Sequence, residues 1–76
     1  MSRNLEKEFG KVLKEYRNNA GHSQESLALK CGLDRTYISL LERGLRSPTI
    51  NTIFSICSVL NVRPSQLISK VEERLR

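Results

Sequence analysis

A stretch in the middle of the chain combines a hydrogen-bonding face with an apolar face. Arg35, Thr36 and Ser39 share one side of a helix because they are separated by one and four positions. Ile38 and Leu41 point to the opposite side. A short helix that is held by its apolar side, with donors and acceptors on the other, has the shape and chemistry that the DNA major groove accepts. The pattern therefore predicts a helix that reads base edges.

The candidate base-reading residues differ in the contacts they favour. Arg35 is the main candidate, because its guanidinium fork matches the O6 and N7 acceptors of guanine. Thr36 suits a thymine methyl group or a phosphate, and Ser39 can donate to acceptors of either kind. Tyr37 has two interpretations: its ring packs against the edge of the preceding helix, or its hydroxyl reaches a phosphate or a base. The alternative for each of these residues is a solvated surface side chain.

Phosphate contacts are predicted at the edges of the same helix. Ser23 and Gln24 begin the preceding helix, whose N-terminal amide groups can bind a phosphate oxygen. Four further candidates lie in loops or at helix ends that would flank the groove: Arg17, Arg43, Arg46 and Ser47. Such contacts fix the register of a protein on DNA but carry no sequence information directly. An ion pair with Glu42 or Glu15 is the alternative for Arg43.

Five apolar-periodic segments are predicted to position these side chains, and none alternates with a period of two. The segments are separated by short breakers, and no linker or repeat interrupts them. Their apolar stripes are Leu5, Phe9, Val12, Leu13 and Tyr16; Leu27, Ala28 and Cys31; Ile38 and Leu41; Ile50, Ile53, Phe54, Cys57 and Leu60; and Leu67, Ile68, Val71 and Leu75. The predicted fold is all-α, with one compact five-helix domain over residues 1–76.

Turn and capping residues support these boundaries. Ser23 and Asp34 are predicted N-caps, and Gly32 is predicted to take the left-handed conformation between two helices. Pro64 suits the first position of the fifth helix. Gly10 lies inside the first helix, where glycine costs about 1 kcal/mol relative to alanine. Either this helix packs closely against a neighbour at Gly10, or its start frays.

Composition favours an anionic partner. Thirteen Lys and Arg residues against eight Asp and Glu residues leave a net charge of +5. Two Tyr, two Phe and no Trp argue against stacking on unwound bases as the main binding device. No apolar run approaches the roughly 20 residues of a membrane span, and the N-terminus lacks an apolar signal-peptide core. A cytoplasmic location is expected.

Catalytic and metal-binding patterns are missing from the sequence. Cys31 and Cys57 lie 26 positions apart without a CxxC motif, and both are expected to be buried free thiols rather than a disulfide. His22 is the one histidine, and no nucleophile is ordered beside it. No carboxylate pair or glycine-rich phosphate loop is visible. We therefore expect a protein that is not an enzyme and needs neither a metal nor a cofactor.

Surplus apolar surface on the last two helices predicts a two-fold interface. A monomer of this size reads only a few base pairs, and specific operators are usually bound at two half-sites. Five residues are predicted to lie in or near the interface: Val62, Pro64, Leu67, Ile68 and Val71. The alternative is that some of these side chains close the core of the domain itself.

Several strings of residues resemble the Xre / Cro–cI family of helix-turn-helix regulators over essentially the whole chain. They are SQESLA at 23–28, GLDRTYIS at 32–39, LERG at 41–44, SPTI at 47–50 and LNV at 60–62. The resemblance implies a lambda-repressor-like fold, with the helix-turn-helix at about 23–43 and dimerisation helices at about 49–75. It further implies that the helix opening at Arg35 is the recognition helix of an operator-binding dimer.

Within that family, the LDRTYIS string and the short chain resemble the controller proteins of restriction–modification systems. Those proteins are small homodimers that activate and repress their own operons. The resemblance implies three partners: a palindromic double-stranded operator, a second copy of the chain, and RNA polymerase where the protein activates. Two alternatives stay open, namely a phage- or plasmid-type repressor of the same fold and an antitoxin-like protein-interaction module.

Overall fold

The computed structural model describes residues 2–76, with side chains from residue 4 onward. Its helices are α1 (Ser2–Asn19), α2 (Gln24–Cys31), α3 (Arg35–Glu42), α4 (Ile50–Leu60) and α5 (Pro64–Arg74). Turns connect them, and no strand occurs within the described range. The prediction of an all-α fold with five helices is confirmed.

Local geometry explains why α2 begins and ends where it does. The Ser23 hydroxyl accepts a hydrogen bond of 3.0 Å from the backbone N–H of Ser26, which makes Ser23 the predicted N-cap. Gly32 follows the helix with a φ of 69°, a conformation that glycine adopts without steric cost. The Leu33 N–H then donates to the carbonyl of Ala28 at 2.8 Å, which closes the turn before α3.

Asp34 occupies the N-cap position of α3, but its side chain makes no capping hydrogen bond. The predicted side-chain cap is therefore wrong. The N–H groups of Tyr37 and Ile38 instead donate to the backbone carbonyl of Asp34, at 3.1 and 3.2 Å. The carboxylate stays exposed, where water solvates it.

One apolar core joins all five helices. It contains Phe9, Val12, Leu13, Leu27, Ala28, Ile38, Leu41, Ile53, Ile56, Cys57, Leu60, Leu67 and Val71. α1 packs against α3 and α5, α2 packs against α3 and α4, and α4 packs against α5. Leu67 is fully buried and Val71 is nearly so. For these two residues the structure supports the alternative that the sequence leaves open, because α5 uses them to pack within its own domain and neither is accessible to a second chain.

Close packing accounts for Gly10. A Cβ atom at this position would lie 2.5 Å from the carbonyl oxygens of both Leu41 and Glu42, well inside van der Waals contact. The missing side chain thus lets α1 lie directly against the end of α3. Of the two explanations that the sequence leaves open, the structure supports close packing.

Several large apolar side chains of the predicted stripes remain exposed. On α4, Ile50 is 70% exposed and Phe54 is 58% exposed. Leu5, Ile68 and Leu75 are about half exposed at neighbouring positions of α1 and α5 and at the C-terminal end. The wide apolar face of α4 is thus only partly covered by the other helices, in agreement with the surplus apolar surface that the sequence predicts on the last two helices.

Both cysteines are free, as the sequence predicts. Cys57 is buried and Cys31 is half-buried, and burial raises the pKa of each thiol, which disfavours the reactive thiolate. Among residues 2–76, no group of His, Cys, Asp and Glu is arranged to hold a metal ion. Nor does any helix of the described chain have the length and apolar character needed to cross a membrane.

Candidate nucleic-acid interface

The turn between α2 and α3 presents α3 as a rigid outer element. Ile38 and Leu41 anchor it from one side, and Leu27 of α2 is buried against the same core. The connection between the two helices is a tight turn that includes Gly32 and Leu33, and the helices pack against each other. The position of α3 is thus fixed by its apolar face before any ligand binds.

The opposite face of α3 is polar and accessible. Arg35 and Thr36 are exposed in the first turn, Ser39 is half-exposed one turn further, and Arg43 is exposed directly after the helix. The structure therefore brings together four of the predicted contact residues on one surface. None of them is needed to fill the core, so their hydrogen-bonding groups are available to a ligand.

Tyr37 differs from the other candidates on α3. Its ring is half-buried and packs against the hydrophobic core. This is the packing role that the sequence offered as one of two interpretations.

Arg17 does not belong to the accessible surface. It is only 7% exposed, and its Nε and Nη2 donate to the two carboxylate oxygens of Glu42 at 2.6 and 3.0 Å. Its Nη1 donates to the backbone carbonyl of His22 at 2.8 Å. We therefore remove Arg17 from the predicted phosphate contacts, because the folded domain itself occupies its donors. Glu42 is consequently not the partner of Arg43.

The other predicted phosphate contacts lie at the rim of α3. Arg43 and Arg46 are exposed, and neither forms an ion pair with any side chain that the structure describes. Ser47 is exposed and donates to the carboxylate of Glu6. Ser23 caps α2, as described above. Gln24 begins α2 and is half-buried.

The sequence analysis did not identify the hydrogen-bonded cluster around Glu42. Gln24 donates from Nε2 to Glu42 Oε1 at 3.0 Å, which adds a third hydrogen bond to those from Arg17. A signal for this cluster was present. Arg17 follows Leu13 by four positions and Glu42 follows Ile38 by four, so each charge extends an apolar stripe. Charges on buried faces require partners, and two such charges of opposite sign predict a pair.

Comparisons with known proteins agree with this architecture. A family model described as helix-turn-helix matches residues 13–67, well over half of the chain. The control protein C.BamHI of Bacillus amyloliquefaciens is 39% identical over 69 residues, which cover 90% of this chain and 85% of that protein.

Solved structures show the same similarity. The restriction-modification controller protein C.AhdI from Aeromonas hydrophila is 39% identical, with a TM-score of 0.78 over 80% of this chain and 92% of its own. The wild-type controller protein C.Esp1396I is 35% identical, with a TM-score of 0.83 over 93% of each chain. These similarities identify the protein as a DNA-binding transcription regulator. The chain belongs to the Xre-type family of helix-turn-helix DNA-binding regulators.

Proposed function

We propose that this regulator binds a palindromic operator as a homodimer and acts as the controller protein of a restriction–modification system. The polar outer face of α3 carries the DNA-binding part of the proposal. Its biological setting is supported by relatives that are themselves control or controller proteins and that match this chain over most of their length. In such a system the bound protein represses its own operon and also activates it, which requires contact with RNA polymerase.

The structure supports a division of labour within each half-site. We propose that Arg35, Thr36 and Ser39 face the base edges and that the Tyr37 hydroxyl contacts a neighbouring base or phosphate. The phosphate contacts are assigned to five residues: Ser23, Gln24, Arg43, Arg46 and Ser47. The Ser47 hydroxyl would have to exchange its hydrogen bond to Glu6 for one to phosphate, and this exchange is open to it because the bond is exposed, unlike those of Arg17. Arg43 and Arg46 supply positive charge in the loop that follows α3. The N-terminal amide groups of α2 supply neutral donors next to the helix dipole.

Operator binding can be tested with a duplex that carries the palindrome upstream of the gene. Mobility-shift titrations should show tight binding to this duplex and weak binding to a scrambled one of the same length. Because Arg43 and Arg46 in two protomers would displace about four counterions, log K should fall with log salt with a slope of about −4 or steeper. Equal affinity for both duplexes, or no binding, would favour the protein-interaction module instead.

The genes beside the coding sequence test the biological setting. An adjacent methyltransferase gene and an adjacent endonuclease gene are expected for a controller protein. A lysis–lysogeny locus or a plasmid partition region would instead assign the same DNA-binding domain to a phage- or plasmid-type repressor.

The exposed side of α4 is the best candidate for the dimer interface. This helix contains no charged residue, although 28% of the chain is charged, and it exposes Ile50 and Phe54. Depletion of charge and exposure of aromatic side chains are typical of the centres of protein interfaces. Of the predicted contacts, Ile68 is accessible and Val62 and Pro64 are half-buried. We retain these three and add Ile50 and Phe54.

An open apolar groove of about 470 Å³ adjoins this surface. Ile53 of α4 lies in the groove, and Leu5, Ile68 and Leu75 extend it between α1 and the end of α5. A second copy related by a two-fold axis can cover such a groove together with the exposed apolar side chains of Ile50 and Phe54. We therefore assign the groove to the same dimer interface.

Replacing Phe54 with aspartate should weaken the dimer by more than about 100-fold, because two copies of a large apolar contact are replaced by charges. Sedimentation velocity should then show monomers that keep their helical circular dichroism. Asn18→Asp, an equal charge change at an exposed position of α1, should leave the dimer intact. Leu67→Asp should instead unfold the domain, since Leu67 is fully buried. A dimeric Phe54→Asp variant would contradict this assignment.

A further inference from the structure

A buried polar cluster lies where α1, α2 and α3 meet. Glu42, the last residue of α3, has a side chain that is only 3% exposed and accepts three hydrogen bonds. Two come from Arg17 at the end of α1, and the third comes from Gln24 in the first turn of α2. Arg17 also holds the loop before α2 through the carbonyl of His22.

The fork of Arg17 already gives each oxygen of Glu42 a partner. The hydrogen bonds to Glu42 raise the pKa of Arg17 above its ordinary value, so its guanidinium stays charged. Among the residues described, no buried side-chain polar atom lacks a hydrogen-bond partner. Glu42 therefore does not need the hydrogen bond from Gln24 to satisfy its oxygens. The main effect of this bond is on the orientation of the Gln24 side chain.

A carboxylate can only accept hydrogen bonds, and this property determines which end of the Gln24 amide faces Glu42. The NH₂ group must point to Glu42, and the carbonyl oxygen must point away from it. One of the two Nε2 hydrogens is used by Glu42 Oε1 at 3.0 Å. The other hydrogen remains available beside the N-terminus of α2, where donors favour a phosphate oxygen.

We propose that Glu42 is a positioning residue for DNA binding, which orients the Gln24 amide so that its second N–H donates to a phosphate. This inference rests on the proposed operator binding. Without the anchor, rotation of the amide would expose either its donor or its acceptor end, and the acceptor end repels phosphate. Arg17 contributes by neutralising Glu42, because an unpaired carboxylate near the DNA backbone would oppose binding.

The order of the Gln24 amide in the free protein is the first test. The chain contains one other glutamine, Gln66, which is exposed on α5 and serves as a matched control. In ¹⁵N relaxation measurements without DNA, the side-chain NH₂ of Gln24 should be about as rigid as the backbone, while that of Gln66 is mobile. Equal mobility of the two amides would overturn the proposal.

Operator affinity provides the second test. Gln24→Ala should weaken binding by about tenfold per half-site, the effect expected for one hydrogen bond to a charged group. The double variant Arg17→Met/Glu42→Met removes the anchor without leaving a buried charge unpaired, and such apolar replacements often preserve stability. It should lose a similar factor, and adding Gln24→Ala to it should cost little more.

The outcomes separate this proposal from operator binding itself. A folded methionine-pair variant with wild-type affinity, or losses that simply add, would show that the cluster serves only the fold. If this variant does not fold, the wild-type relaxation data and Gln24→Ala decide. A rigid amide with a tenfold loss supports the proposal, and a mobile amide or an unchanged affinity rejects it. Failure of the wild-type protein to prefer its palindrome would reject operator binding instead.

Discussion

Replacing Arg35 with alanine should weaken binding to the cognate operator by roughly 5- to 150-fold per half-site. This range corresponds to the ~1–3 kcal/mol by which a bidentate pair of Arg with guanine discriminates against other bases. Arg35 is exposed in the first turn of α3, and no ion pair within the described chain competes for its guanidinium. The substitution should therefore leave thermal stability nearly unchanged. Titration against a panel of operators, each altered at one position, should show relaxed preference at one base pair per half-site.

Arg46→Ala is the matched control, because it also removes one exposed arginine. It should weaken specific and random duplexes to a similar extent and flatten the salt slope by about one for each phosphate that is no longer neutralised. The contrast between the two variants distinguishes base reading from phosphate binding. An equal loss on cognate and random DNA for Arg35→Ala would remove Arg35 from the base-reading set.

Replacing Gly10 with alanine should destabilise the domain, although alanine is the better helix former. The gain in helix propensity is about 1 kcal/mol. The new Cβ would meet two backbone carbonyl oxygens at 2.5 Å, and backbone atoms cannot rotate away as a flexible side chain would. α1 and α3 must therefore separate, and overpacking of this kind commonly costs about 1–3 kcal/mol and occasionally more. Because two backbone oxygens are met at once, the cost should reach the upper end of this range, about 3 kcal/mol. After the gain in helix propensity, we expect a net loss of about 2 kcal/mol, which lowers Tm by roughly 10 °C in a domain of this size.

Lys14→Ala provides the control for Gly10, since Lys14 is exposed on the same helix. This variant should have a Tm close to that of the wild type. Separation of α1 from the end of α3 would also disturb Glu42, so Gly10→Ala should weaken operator binding in proportion to the loss of order in α3. A Tm equal to or above the wild-type value would show that α1 and α3 can part without cost.

Much of the fold could be predicted because its signals are local. The positive φ at Gly32, the capping hydroxyl of Ser23 and the ring of Pro64 each act within a few residues of the helix end that they define. The helical spacing of apolar and polar positions on α3 is also a local signal. This spacing was enough to predict that Arg35, Thr36 and Ser39 share one accessible face.

Interactions between distant segments account for the predictions that were wrong. Arginine is usually a surface residue, so Arg17 was predicted to be accessible. It is buried because it pairs with Glu42, which lies 25 positions away in the sequence. Leu67 and Ile68 are adjacent apolar residues, yet Leu67 is fully buried and Ile68 is accessible. Periodicity shows that a helix has an apolar stripe, but it does not show how much of the stripe the neighbouring helices cover. Leu5 and Phe54 are exposed for this reason.

The sequence by itself determined the five helices, the turn between α2 and α3, and the polar face that α3 presents. These features follow from backbone preferences and from spacing within single helices, and both are properties of short segments. Only the tertiary structure decided that α1 packs against the end of α3 at Gly10. It also decided that Arg17 and Glu42 form a buried pair that holds Gln24, and that α4 leaves an uncharged face exposed. Those features depend on which helices meet and at what distance, and that is settled by the packing of all five helices together.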